Sequence, residues 1–98
     1  MPARSTPERP LFAPGRLTAT PGALQALAAA AENPISYLAR HVRGDWGVVD
    51  QEDRAANRQA LLHGTRIVSA YNLATGRRLW IITEADRSVT TLLLPEEY

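Results

Sequence analysis

The sequence predicts a single α+β domain, in which about three short helices are followed by a three-stranded antiparallel β-meander. The hydrophobic period carries this prediction, since apolar residues recur at helical spacing up to Gly64 and then alternate with a period of two. The closing stretch, Arg77–Tyr98, adds a second observation. Two apolar, β-branched runs flank the charged segment Glu84–Ser88, which is the pattern of a β-hairpin with a polar tip. The connections between the strands are short, so we expect antiparallel pairing.

The length of 98 residues corresponds to one small domain, and the 45% apolar fraction is typical of a globular chain. Residues 1–10 are rich in proline and polar side chains, so we expect a flexible tail there and the domain over residues 11–98. No window approaches the roughly 20 apolar residues that cross a bilayer, and the first residues lack the apolar run of a secretory signal. We therefore expect a cytoplasmic protein that does not contact a membrane.

The absence of cysteine excludes disulfides, thiolate catalysis and Cys-based zinc sites. The formal net charge is only +1, so non-specific nucleic-acid binding has little electrostatic support. All eleven cationic residues are arginine. Two interpretations of that preference stay open: a bias in coding composition, or a selection for planar, bidentate contacts to carboxylate or phosphate.

Three side chains that favour helix N-termini mark the predicted helix starts: Thr20, Asn33 and Asp50. A proline follows each of the first two caps, at a position where its fixed φ suits the first helical residue. Gly44 and Gly64 are suited to ending the second and third helices. The spacing predicts apolar faces made by Leu24 and Leu27 in the first helix, Ile35, Leu38 and Val42 in the second, and Ala56, Ala60 and Leu61 in the third.

The strands are predicted over residues 65–73, 77–83 and 89–94, and an extended piece at residues 16–20 is an open addition to the sheet. Both faces of this sheet carry apolar side chains. The helices can cover one face, so the N-terminal segment or another chain must cover the second, or it stays exposed. This leads to the hypothesis that the sheet binds a protein partner or a second copy of the chain.

Two motifs give the chain a resemblance to a known group. The first is Gly44-Asp45-Trp46-Gly47, followed by Glu52-Asp53 and Asn57, and the second is the run from Trp80 to Ser88, continued by Thr90-Thr91 and Leu93–Tyr98. From about Leu11 onward the chain resembles a family of small bacterial proteins often carried on plasmids and integrative elements. The resemblance implies an accessory gene of a mobile element, and it implies no mechanism or catalytic residues.

The surface candidates lie on the predicted sheet and hairpin tip: Arg66, Arg77, Arg78, Trp80, Glu84, Asp86 and Arg87. Trp80 is either a core residue or a binding hot spot on an exposed face. Arg87 either pairs with Glu84 or Asp86 and stiffens the turn, or presents its guanidinium to a partner's carboxylate or phosphate. The four arginines could form a local basic patch on which Trp80 stacks a base.

The residues that could support catalysis form no recognisable motif. His41 and His63 lack a metal-binding spacing, and the acidic residues Asp45, Asp50, Glu52, Asp53, Glu84 and Asp86 have structural roles open to them at caps and turns. The glycines form no phosphate-binding loop, so no cofactor is expected. We expect a non-catalytic accessory protein that binds a macromolecule, more readily protein than nucleic acid. A nucleic-acid-binding module is the alternative, and a metal-dependent hydrolase or nuclease is a third class.

Overall fold

A computed structural model of the chain describes residues 9–98, and residues 1–8 of the predicted flexible tail lie outside the described part. The strands are β1 (Arg16–Ala19), β2 (Ile67–Asn72), β3 (Arg78–Thr83) and β4 (Val89–Leu93). The helices are α1 (Pro21–Ala29), α2 (Pro34–Val42) and α3 (Gln51–His63), and a 3₁₀ turn follows β4 at Pro95–Glu97. The α+β class is confirmed. No helix within residues 9–98 has the length and apolar character that a membrane crossing requires.

The sheet differs from the predicted three-stranded antiparallel meander. It has four strands in the order β1-β4-β3-β2, and β1 runs parallel to β4, so the sheet is mixed. The helical elements also do not all precede the strands, because β1 comes before α1 and the 3₁₀ turn comes after β4. The extended piece that the sequence left open at residues 16–20 is β1, but its four residues carried no signal of its parallel pairing. Its pairing with β4 depends on contacts between residues more than 70 positions apart in the chain, such as that between the Thr18 and Thr91 hydroxyl groups at 2.8 Å.

The predicted helix caps are confirmed by their hydrogen bonds. The Thr20 hydroxyl accepts from the backbone N–H of Ala23, the Asn33 side chain accepts from Ile35, and Asp50 accepts from Asp53. Gly64 ends α3 at φ +69°, in the left-handed region where glycine has no Cβ penalty. These helix boundaries were predictable because each depends on one side chain and its own next turn.

The inner face of the sheet, which carries Tyr71, Leu79, Ile81 and Leu92, packs against α1 and α2 to form the main core. Leu27 and Leu38 are buried there as predicted. The rest of the predicted apolar faces is partly wrong, because Leu24 is 50% exposed and Ile35 is 59% exposed. In α2 the buried side chains are instead Tyr37, Leu38 and His41, and in α3 Asn57 is buried where Ala56 was expected.

His41 lies fully buried between α2 and the sheet, at the start of a chain of hydroxyl groups. Thr90 donates to the carbonyl of Pro14, so the Thr83 hydroxyl must donate to Thr90. Thr83 can then only accept from His41 Nε2, at 2.9 Å, and Nδ1 accepts from Ser69. This chain of donors places a proton on Nε2. Desolvation by burial lowers the pKa of His41 to about 4, so the imidazole is neutral near pH 7 and Nδ1 is left to accept from the Ser69 hydroxyl.

The outer edge of β2 is occupied by other parts of the chain. The buried Asn57 side chain on α3 donates to the carbonyl of Val68 at 2.8 Å and accepts from its N–H at 3.1 Å. Gly47 forms a parallel bridge with Ala70, whose N–H and C=O bond the flanking loop residues. Trp46 is buried in the same region against Ala60 and Ile67, where it packs α3 on the sheet. This edge therefore offers no free ladder to another strand at these positions.

Candidate functional site

A cleft of about 380 Å³ lies on the outer face of the sheet, opposite α1 and α2. Its floor comes from side chains that alternate with the core residues of β2 and β3: Val68, Ala70, Arg78, Trp80 and Ile82. The rest of the lining comes from the loop Val48–Asp50, from Asp53 on the first turn of α3, and from Arg66 and Tyr98. We call this feature the outer cleft.

The second face of the sheet, on which the outer cleft lies, is covered only in part. The helices α1 and α2 lie on the inner face, while the C-terminal 3₁₀ turn packs near β3. Tyr98 reaches back over the sheet and meets Trp80 edge to face, with 5.5 Å between ring centroids. The cover is incomplete, because Trp80 remains partly exposed and Tyr98 is 64% exposed. The second face is therefore an accessible, aromatic surface rather than a second closed core.

Three of the predicted site residues come together in the outer cleft: Arg66, Arg78 and Trp80. The Arg66 guanidinium carbon lies 5.3 Å from the centre of the Tyr98 ring, within cation–π range. Arg78 is held on the floor by a 3.0 Å hydrogen bond from Nε to the Asn72 side chain. Both guanidinium groups keep further N–H donors facing solvent, since both residues are exposed. The cleft thus offers oriented cations beside apolar and aromatic surface.

Two carboxylates balance these cations. Asp50 and Asp53, at the N-terminus of α3, line the same cleft. One oxygen of Asp50 is used in capping the helix, by accepting from the Asp53 N–H at 2.8 Å. The lining is therefore neutral in formal charge, with two arginines and two aspartates. A neutral lining of mixed polarity suits a protein segment with an apolar anchor better than it suits a polyanion.

Arg87 lies outside the outer cleft, and its side chain is hydrogen-bonded to other parts of the same chain. It adopts φ +62° at the β3–β4 turn. Its guanidinium donates to the backbone carbonyls of Thr65 at 2.6 Å, Ala60 at 2.9 Å, Ala85 at 3.1 Å and Glu84 at 3.2 Å. The side chain thus joins the hairpin tip to the end of α3. Its partners are carbonyl groups rather than the carboxylates expected from the sequence.

The other candidates at the tip and on β3 are also outside the outer cleft. Asp86 accepts from the Ser88 side chain and backbone, which lowers its pKa and fixes the turn. Glu84 is exposed and holds the turn through its backbone. Arg77 forms an exposed ion pair with Glu96 at 2.8 Å, a kind of contact that contributes little to stability. The predicted basic patch of four arginines is therefore divided, with only Arg66 and Arg78 in one place.

Of the aromatic and charged residues in the outer cleft, Tyr98 was not expected at a site, and Asp50 and Asp53 were considered only as acidic candidates for catalysis. Nothing in the sequence predicts that Tyr98 folds back across the sheet, because the turn at Pro95 sets its direction. Asp50 and Asp53 were predicted as a cap and a first-turn acid, and their local geometry agrees with that. Their place in the outer cleft depends on how the Trp46–Val49 loop runs along β2.

The described residues offer little that resembles a catalytic centre. Within residues 9–98, no three His, Asp or Glu side chains lie close enough together to hold a metal ion. Both ring nitrogens of His41 are bonded in the core, and His63 is exposed at the end of α3 beside Gln59. Comparisons of the chain with protein-family models, curated proteins and solved structures gave no match. The site must therefore be interpreted from its own geometry.

Proposed function

We propose that the chain is a non-catalytic accessory protein that binds another protein through the outer cleft. The observation that carries this proposal is the pair formed by the partly exposed Trp80 and the exposed Tyr98, in a cleft of about 380 Å³ that two arginines and two aspartates also line. Aromatic residues and arginine dominate the energetics of protein interfaces when a rim of polar groups surrounds them. The resemblance to proteins of plasmids and integrative elements supports a role as an accessory protein of a mobile element, and action in the cytoplasm is part of the proposal.

The arrangement favours an extended or helical segment with one apolar anchor. Such an anchor would lie against Trp80 and Ile82, while its flanking polar groups would meet Arg78 and Asp53. A ligand with both signs of charge along it satisfies this lining, whereas a purely anionic or purely cationic ligand meets like charge in part of it. Complementarity of this kind selects among proteins by sequence, as expected of a dedicated partner.

The test is quantitative affinity capture from bacteria that carry the gene, with the wild-type chain, Trp80→Ala and Leu62→Ala. Leu62 is 77% exposed on α3 and does not line the outer cleft, so it is the matched control. Truncation of a hot-spot aromatic typically costs about 2 kcal/mol, or a roughly 30-fold weaker Kd. We expect one protein to be recovered with the wild type and the control and to be lost with Trp80→Ala. Equal recovery with all three chains would exclude the outer cleft.

Nucleic-acid binding is the second candidate, because Arg66, Arg78 and Trp80 lie together. A site that stacks a base on an aromatic ring beside cations requires such an arrangement. The two aspartates count against it. Fluorescence anisotropy with single-stranded oligonucleotides at low and high salt separates the two candidates. Binding that weakens steeply with salt and is lost in Trp80→Ala would favour nucleic acid. The proposed protein-binding function predicts no measurable affinity for the oligonucleotides, even at low salt.

A further inference from the structure

The strand β1 forms the second edge of the sheet, and no described residue pairs with its outer side. The backbone N–H groups of Arg16 and Thr20 donate to carbonyls of Ser88 and Leu92, at 3.0 Å each. Alternation along a strand then directs the N–H and C=O groups of Leu17 and Ala19 away from β4. We call these outward groups the β1 edge. It differs from the β2 edge, where Asn57 and the loop at Gly47 occupy the corresponding groups.

Beside the β1 edge lies an apolar groove of about 210 Å³ between β1 and the helices α1 and α2. Its most exposed side chains are Leu17 at 47%, Leu24 at 50% and Ile35 at 59%. Leu24 and Ile35 belong by spacing to the same helix faces as the buried Leu27 and Leu38. The helices thus carry an apolar stripe that is wider than the surface the monomer covers. An unpaired strand edge and an uncovered apolar groove therefore occur side by side.

We propose that two copies of this chain pair through the β1 edge, in an antiparallel manner about a two-fold axis at Thr18. In this register Leu17 lies opposite the second copy's Ala19, and Ala19 opposite the second copy's Leu17. Each such pair exchanges two backbone hydrogen bonds, so every outward group of Leu17 and Ala19 is satisfied. The two sheets become one continuous sheet of twice the width. The groove of each copy then meets the other across the axis, which places Leu17 of one beside Leu24 and Ile35 of the other.

Charge complementarity favours a second copy over a foreign strand. The same register places the exposed Arg16 opposite the second copy's Thr20. The Thr20 hydroxyl donates to Glu97 at 2.6 Å, so the Glu97 carboxylate is fixed at that position. Arg16 therefore approaches the second copy's Glu97, and the two-fold axis repeats the contact on the other side. A surface that is complementary to itself in backbone bonds, apolar side chains and charge has the property that a symmetric dimer requires.

Sedimentation equilibrium of the full chain tests the proposal without mutation. We expect the mass to rise from 10.7 kDa toward twice that value as the concentration increases to about 1 mM. Leu17→Glu and Ile35→Glu should each weaken dimerisation at least tenfold and leave the circular dichroism spectrum unchanged, because both side chains are exposed. Leu62→Glu makes the same kind of change on an exposed residue of α3 and should dimerise as the wild type does.

The register is tested by a single cysteine, since the chain has none of its own. In a non-hydrogen-bonded antiparallel pair the Cα atoms are about 4.5 Å apart, within the range of a disulfide. Thr18→Cys should therefore form a covalent dimer under mild oxidation, whereas Leu62→Cys should not. A chain that stays at 10.7 kDa throughout overturns the proposal. So does a dimer in which Thr18→Cys fails to cross-link, or one that forms only after residues 1–8 are removed.

Discussion

Protonation of His41 is the perturbation whose energetic effect follows most directly from the structure. The imidazole is 0% exposed, and both its nitrogens are bonded to hydroxyl groups in a chain that ends at the Pro14 carbonyl. A second ring proton would place a charge in the core and would require the Ser69 hydroxyl to change from donor to acceptor. Burial accordingly lowers the pKa of His41 from 6.5 to about 4.

The sign of the pH dependence follows from this pKa. Between pH 6.5 and pH 4 the unfolded chain binds a proton at His41 that the folded chain does not bind. The free energy of unfolding is therefore fully retained above pH 6.5 and falls as the pH decreases. At about 1.36 kcal/mol per pH unit, the loss reaches about 2 kcal/mol at pH 5 and about 3 kcal/mol at pH 4.

The assay is urea denaturation at pH 7.5 and pH 5, with an NMR titration of the imidazole resonances, in a His63→Gln background that leaves one histidine. Measuring at pH 5 and above separates the effect of His41 on the free energy of unfolding from the effects of Asp45, Asp86 and Glu97. Their pKa values are lowered by hydrogen bonds, so they lose their stabilisation only below their ordinary values of 3.8 and 4.5. We expect His41 to stay neutral down to pH 5. An imidazole that titrates near pH 6.5, or a free energy of unfolding unchanged between the two pH values, would refute the reasoning.

Three further predictions concern the fold that supports the site, and urea denaturation checks each of them. Asn57→Leu should cost about 2–3 kcal/mol, because it removes both side-chain bonds to Val68 and leaves its half-buried N–H and C=O groups unpaired. Gly47→Ala should prevent stable folding, since its Cβ would lie 2.0 Å from a backbone oxygen at φ +72°. Gly76→Ala, at φ +92° with open space around it, should cost only about 1 kcal/mol. Arg87→Ala should cost about 2 kcal/mol or more by removing four bonds to carbonyls. Arg77→Ala should stay within about 0.5 kcal/mol, because its ion pair is exposed. Each pair, Gly47→Ala with Gly76→Ala and Arg87→Ala with Arg77→Ala, should differ in its loss of unfolding free energy. Equal losses within a pair, or an unchanged free energy of unfolding in Asn57→Leu, would contradict these structural roles.

The features that could be predicted from the sequence are those set by a few neighbouring residues. The caps Thr20, Asn33 and Asp50 and the stop at Gly64 placed the helices, and the period of two placed β2, β3 and β4. An extended piece at residues 16–20 could be suggested, but its parallel pairing with β4 could not be predicted, because β4 is separated from it by the whole of the helical region.

The candidate site was predicted only in part, for a related reason. Alternation along β2 and β3 correctly places Arg78, Trp80 and Ile82 on one face, since that pattern is local. The contributions of Tyr98 and Asp53 come from segments that fold back onto the sheet, and no spacing encodes such a return. Arg87 is a residue type common at binding surfaces, and nothing in the sequence indicated that it bonds within the fold. Its guanidinium donates to carbonyl groups of α3 and of the turn after it.

The central claim is that the outer cleft is the surface that binds a protein partner. The most direct measurement is an amide and indole chemical-shift map of the labelled chain on addition of the captured partner. We predict that the largest changes fall on Val68, Ala70, Trp80, Ile82 and Tyr98. Changes confined to the hairpin tip at residues 84–88, with the Trp80 indole unaffected, would contradict the claim.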